Sequence, residues 1–249
     1  MIGQGGQQQQ RSAWEYVRRT ERRYASWLRR IADHVAAIVR AFSPGDPDVL
    51  PHLTHTLYRY SDGIEPWARA MAARMTMEVA ARDARAWFRA GRDIGKSLRQ
   101  EINETPLGHV TQTIIHDQVE LIQSIPRQEA ERVQTLTLAA VGGGKRYSEV
   151  VPEILRTNEV TRNRAILIAR TEVGKAQAAI VEARARFVGV THFYWMTVRD
   201  ADVRPLHQKL HGKVFALDDP PIIGEKGERG LPGTIYNCRC WSDMIIAPP

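Results

Sequence analysis

Two cysteines, Cys238 and Cys240, stand two residues apart near the end of a 249-residue chain that has no others. His207 and His211 precede them in a stretch punctuated by proline and glycine. Thiolate and imidazole are the donors zinc prefers. The chemistry these residues point to is therefore coordination of one zinc ion by His207, Cys238 and Cys240, with His211 as the fourth ligand. A Cys-x-Cys spacing is tighter than the usual Cys-x2-Cys of zinc sites. That leaves a competing reading, in which the thiols pack as small apolar groups and His207 hydrogen-bonds a neighbouring carboxylate or carbonyl. A Cys238–Cys240 disulfide would close a small, strained ring, so both thiols are expected to be reduced, as in an intracellular compartment.

A second set of residues is built for charge pairing. Arg170-Thr171-Glu172 precedes by about thirty residues the turn Arg199-Asp200-Ala201-Asp202-Val203-Arg204. On a helix, residues two apart point to different sides, so Arg170 and Glu172 are read as structural rather than as parts of one catalytic site. Arg170 is expected to clamp Asp200 and Asp202, and Glu172 to meet Arg199 or Arg204. The chain has no nucleophile elbow, no phosphate loop and no Gly-x-Gly-x-x-Gly at a strand-to-helix turn. A non-enzymatic protein is the reading that follows. The competing one is a metal-dependent nuclease or transferase module of the toxin type, with its metal held by His207 and the Asp/Cys cluster.

In sequence order, Arg170 to Glu172, Trp195, the acidic turn Asp200 to Arg204, His207, Gly212-Lys213-Val214-Phe215 and Asn237-Cys238-Arg239-Cys240 together resemble the phage Mu F-like minor head proteins, the head morphogenesis family. The resemblance covers roughly residues 150 to 247. It implies a structural minor head protein of a tailed phage, present in several copies per virion at the head interior or portal vertex. Its implied partners are the portal protein and the major capsid protein, met during assembly in the bacterial cytoplasm.

Charge adds a further expectation. The net charge of +7 is uneven, with +5 in residues 1–40, −2 in 41–140, +4 in 141–189 and none beyond. Arg18, Arg19, Arg22, Arg23, Arg29 and Arg30 gather on the first long helix, where they suit the phosphates of double-stranded DNA or an acidic protein surface. A plain solvated basic face is the alternative. An apolar content of 43% fits a folded globular chain. With no run of eighteen apolar residues and a Gly/Gln-rich start, neither a membrane span nor a signal peptide is expected.

The elements that must carry these residues are mostly helical. Residues 1–10 are expected to be disordered. From Ser12, Trp14, Val17, Tyr24, Leu28, Ile31, Val35, Ile38 and Phe42 follow heptad steps broken only by Glu21, and Pro44 and Pro47 end the helix. A short helix is expected over 48–60. Longer ones follow over 64–103, with Trp67, Met71, Met75, Val79, Ala86 and Phe88 buried, and over 109–140, dented at Pro126. Gly142 to Gly144 read as a hinge at 142–146 between a helical arm or bundle, 11–141, and a unit of 147–249. Helices over 147–155 and 159–189 then give way to strands over 191–198, 213–217 and 240–246. The expected fold is mainly α, with a small C-terminal α+β domain.

Overall fold

The computed structural model describes residues 4–90, 106–143 and 146–246. Its helices are α1 (Gln4–Ala41), α2 (Leu50–Gly63), α3 (Glu65–Ala90), α4 (Gly108–Gly142), α5 (Tyr147–Leu155), α6 (Thr157–Phe187) and α7 (Pro205–Leu210). Three short strands, β1 (His192–Thr197), β2 (Val214–Ala216) and β3 (Cys240–Met244), form an antiparallel sheet of order β2-β1-β3. The architecture is mainly α with a small sheet near the C-terminus, as the periodicity predicts. Helix α1 starts at Gln4, ahead of the expected boundary at residue 10. The far end of the helix expected over 64–103 lies outside the described residues. Helix α7 falls between the strands expected over 191–198 and 213–217, where no element was expected, because a six-residue helix is too short to show a period.

The chain packs as two compact units, each gathered from segments distant in sequence. One holds residues 1–22, 73–114 and 170–249, and the other holds 23–72 and 115–169. The divisions fall inside α1, α3, α4 and α6 rather than at the glycines of 142–146.

In the unit of residues 23–72 and 115–169, the heptad seam of α1 is buried at Tyr24, Leu28, Ile31 and Val35. Buried polar groups are matched. Tyr24 Oη donates to Gln118 Oε1 at 3.0 Å, and Gln123 Nε2 donates to the Ser61 carbonyl at 3.0 Å. Pro126 deprives α4 of a backbone donor, and Ser61 Oγ donates to the nearby Gln123 carbonyl at 2.9 Å. Arg132 pairs with buried Glu129 and also donates to the carbonyls of Glu153 and Ile154, which closes the C-terminal end of α5.

The other unit carries the sheet. Trp87 of α3, Ala185 of α6, Phe193 and Trp195 of β1, Val203, Leu217, Ile223, Leu231 and both cysteines form its apolar core. Along α3, whose residues up to 72 belong to the unit of residues 23–72 and 115–169, the buried line runs Ala68, Ala72, Met75, Val79, Asp83 and Trp87, whereas Trp67, Met71 and Phe88 are half-buried and Ala86 is exposed. Alanine is short enough to mark where elements pack closely, and a reading keyed to large side chains passes over it. Asp83 lies on that buried line because Arg184 Nε donates to its Oδ2 at 2.6 Å, with both side chains about 95% buried.

Candidate functional site: the His207–Cys238–Cys240 cluster

In Asn237-Cys238-Arg239-Cys240 the asparagine, the arginine and the pair of cysteines each meet different partners. Asn237 sits at φ +51°, in the left-handed region that asparagine tolerates better than most residues. Its backbone N–H donates to Thr171 Oγ1 at 3.1 Å, and its Oδ1 accepts from Arg170 Nη1 at 3.1 Å. Arg239 forks onto the acidic turn, with Nη1 2.8 Å from Asp202 Oδ2 and Nη2 bonded to Asp200 Oδ2. The two cysteines face inward and meet His207.

The pairing expected for Arg170 is therefore corrected. It holds Asn237, and the acidic turn is held by Arg239, because β3 brings Arg239 alongside the end of β1. Glu172 pairs with Lys175 on its own helix at 2.9 Å. Arg204 donates to the Tyr236 carbonyl at 3.0 Å and lies over the Tyr236 ring, 4.7 Å from its centroid.

His207 Nδ1 lies 3.6 Å from Cys238 Sγ and 3.4 Å from Cys240 Sγ, and all three residues are buried. Its other ring nitrogen, Nε2, is 3.0 Å from the Ile223 carbonyl. A carbonyl can only accept, so Nε2 carries the proton and the lone pair of a neutral ring lies on Nδ1, toward the sulfurs. The Trp195 ring packs edge-on to the imidazole at 5.2 Å. His211 is not part of this group. Its Nδ1 accepts the Thr197 backbone N–H at 3.1 Å, and burial, followed by Arg199, lowers its basicity.

The two thiols are free and share one environment. A hydrogen bond from Cys240, with further help from His207 and the Gly233 N–H, favours a thiolate at Cys238 and outweighs its burial. Cys240 is pushed the other way by the same contact and by burial. Both cysteines also line a small cleft, together with Glu21, Arg82, Gly174, Gln177 and Trp241. Glu21 is the residue that interrupts the α1 seam, and it is buried there. Burial raises its pKa to about 7 against the opposing pull of Arg18, Arg170, Arg239 and Arg22. A carboxylate in a seam position was the only sequence signal for this residue. Asn237, Thr171 and Arg239 stand inside the motifs quoted for the family resemblance, but their residue types did not assign them partners.

Residues 131–242 match the family described as phage Mu protein F like protein. The chain carries a phage Mu F-like domain. Three curated proteins share similarity with it. One is an uncharacterized protein of Haemophilus influenzae, 29% identical over 150 residues, 60% of this chain and 32% of that protein. Another is the NAD(+)--arginine ADP-ribosyltransferase EFV of Enterococcus faecalis, 30% identical over 126 residues, 47% of this chain and 26% of that protein. The third is minor head protein GP7 of Bacillus phage SPP1, 27% identical over 174 residues, 63% of this chain and 53% of that protein. The chain thus spans about a third, a quarter and half of the lengths of these relatives. No solved structure matches it. The hydrogen-bond and ion-pair partners named above for the Asn-Cys-Arg-Cys segment lie within residues 131–242.

Arg19, Arg22, Arg23, Arg29 and Arg30 are exposed and Arg18 is half-buried. At roughly 100° per residue, the six occupy an arc of about 140° on α1, opposite the seam. No helix among the described residues is long and apolar enough to cross a membrane.

Proposed function

We propose that this chain is a structural minor head protein of a tailed phage, which associates with the portal protein and the capsid interior during head assembly and resides in the virion. The observation that carries this reading is the Mu F-like domain together with the similarity to a minor head protein along 63% of the chain. The clamps on Asn237 and Arg239 support it, since they make a rigid body suited to docking rather than a mobile catalytic loop. The test is to separate DNA-filled heads from empty proheads of the phage or induced prophage and to probe both by mass spectrometry. The chain is expected in at least one class, cross-linked to portal subunits. Absence from both ends the proposal.

The arginine arc of α1 supports contact with packaged double-stranded DNA. Such contact is electrostatic, and its affinity falls with salt with a log–log slope of about −0.9 per neutralised phosphate. Replacing Arg19, Arg22 and Arg23 by Gln should reduce that slope by about 2 to 3 units. No retention of duplex DNA by the full chain at low salt removes this part of the proposal.

The similarity to a protein named as a transferase gives the competing enzymatic reading a concrete form. Incubation with NAD and an arginine acceptor is expected to release no nicotinamide above a protein-free control. Incubation of DNA with divalent metals is expected to leave the strands intact. Turnover in either assay replaces the structural reading with the enzymatic one.

A further inference from the structure

The geometry points to a zinc site made by His207 Nδ1, Cys238 Sγ and Cys240 Sγ, with its fourth position filled by water or another non-protein ligand. In a tetrahedral site, zinc–sulfur bonds of about 2.3 Å and a zinc–nitrogen bond of about 2.05 Å put nitrogen and sulfur about 3.5 Å apart. The observed separations are 3.6 and 3.4 Å, and the three donor atoms all lie within 4.8 Å of one another. A hydrogen bond could explain one such distance. The imidazole nitrogen has a single in-plane lone pair, so only one thiol can donate to it well, and the other is left to bond to its partner sulfur. A cation among the three donors satisfies all of them.

The surroundings are those a metal ligand needs. Nε2 of His207 is anchored on the Ile223 carbonyl, which fixes the tautomer and aims Nδ1. A backbone hydrogen bond from Gly233 also reaches Cys238. The buried Trp195 indole N–H is directed at Cys240. Neighbouring residues hold the ligands in advance, through Arg170 and Thr171 on Asn237 and through Asp200 and Asp202 on Arg239. On binding, each ligand thiol still protonated gives its proton to solvent as its sulfur–zinc bond forms.

Among the described residues, no fourth His, Cys, Asp or Glu joins the group. Both cysteines line the cleft, which gives water a route to the remaining position. Donor type, donor spacing and the outer hydrogen bonds all fit one zinc ion. The site joins α7 to the start of β3 across the long loop between β2 and β3, and its role is to staple that loop. This inference does not depend on the virion assignment.

The full chain, purified without chelators or a histidine tag, is expected to contain about one zinc per chain by elemental analysis. Cys238→Ser and Cys240→Ser should each lose at least about 90% of that zinc, while His211→Ala and Glu21→Gln should retain it. Cobalt(II) added to the chelator-stripped wild-type chain should give sulfur-to-cobalt charge transfer and the intense d–d bands of a four-coordinate ion. This readout holds even where a variant fails to fold. The proposal is overturned if cooperatively folded wild-type protein holds less than about a tenth of a zinc per chain and shows no cobalt–thiolate band. It is equally overturned if the Cys238/Cys240 double serine variant keeps its zinc.

Discussion

Asn237 combines an unusual backbone angle with two side-chain-mediated bonds, so its substitution separates the two contributions. Glycine accepts φ +51° but loses the bond to Arg170, whereas alanine loses the bond and also meets the left-handed penalty of about 1 kcal/mol. Asn237→Ala is therefore expected to destabilise the chain by about 2 kcal/mol and Asn237→Gly by about 1 kcal/mol, measured by urea unfolding. Equal losses would mean that the backbone angle carries no cost. Glu21 makes a prediction of the opposite kind. Its folded pKa of about 7 lies above its ordinary value of 4.5, so between those values the folded chain binds more protons than the unfolded one. Glu21 thus costs stability progressively as pH rises from about 4.5 to about 7, despite Arg18 and Arg22 on α1, Arg170 on α6 and Arg239 beside β3. Glu21→Gln should raise stability at pH 8 by on the order of 1–3 kcal/mol and change it little at pH 4.5, where the native carboxyl is already neutral. Thermal melts at the two pH values check it, and equal gains at both would show that the carboxylate charge is not the cause.

Among elements, a close approach lies between α6 and the loop that leads to Cys238. A Cβ on Gly233, which has φ +95°, would stand 2.8 Å from the Gly174 carbonyl oxygen, while a Cβ on Gly174 would meet the Gly233 oxygen at an ordinary 3.4 Å. Gly233→Ala should therefore cost more than about 2 kcal/mol, and Gly174→Ala should be within about 1 kcal/mol of neutral, since alanine favours the helix. Melting both variants tests whether the loop is seated this tightly. Such contacts explain what the sequence could and could not show. The seam of α1 and the aromatic run of β1 were legible because one apolar face dictates the period. The His207–Cys238–Cys240 meeting was legible from donor chemistry alone. Arg170 was marked as a clamp, but its partner was not, because a guanidinium fits a carboxylate and an amide oxygen equally and only β3's register decides between them. Ala68, Ala72 and Gly174 lack the bulk that makes a core position visible.

For the whole molecule, the Mu F-like segment and the compact unit that contains it are different things. The family match spans residues 131–242, yet the unit bearing the sheet also draws on residues 1–22 and 73–114. Trp87 from α3 belongs to the same core as Phe193 and Trp195, and Asp83 from α3 neutralises buried Arg184 of α6. A fragment of residues 147–249 keeps Arg184 and loses Asp83, which leaves a guanidinium either buried without its partner or exposed by loss of packing. Breaking a buried pair from one side costs about 3–5 kcal/mol, and removal of a buried tryptophan costs a similar amount. Together these approach the whole stability of an ordinary domain, about 5–15 kcal/mol. The fragment is accordingly expected to show no cooperative thermal or urea transition, whereas the full chain unfolds cooperatively. In the full chain, Asp83→Ala should destabilise by about 3 kcal/mol or more, and the double change Asp83→Leu with Arg184→Met should recover part of that loss by removing both buried charges. A fragment that melts cooperatively near the full chain's temperature would mean that the helices before residue 147 contribute little to the core beneath the sheet. That result would return the glycines at 142–144 to the role of a boundary between separately folded bodies.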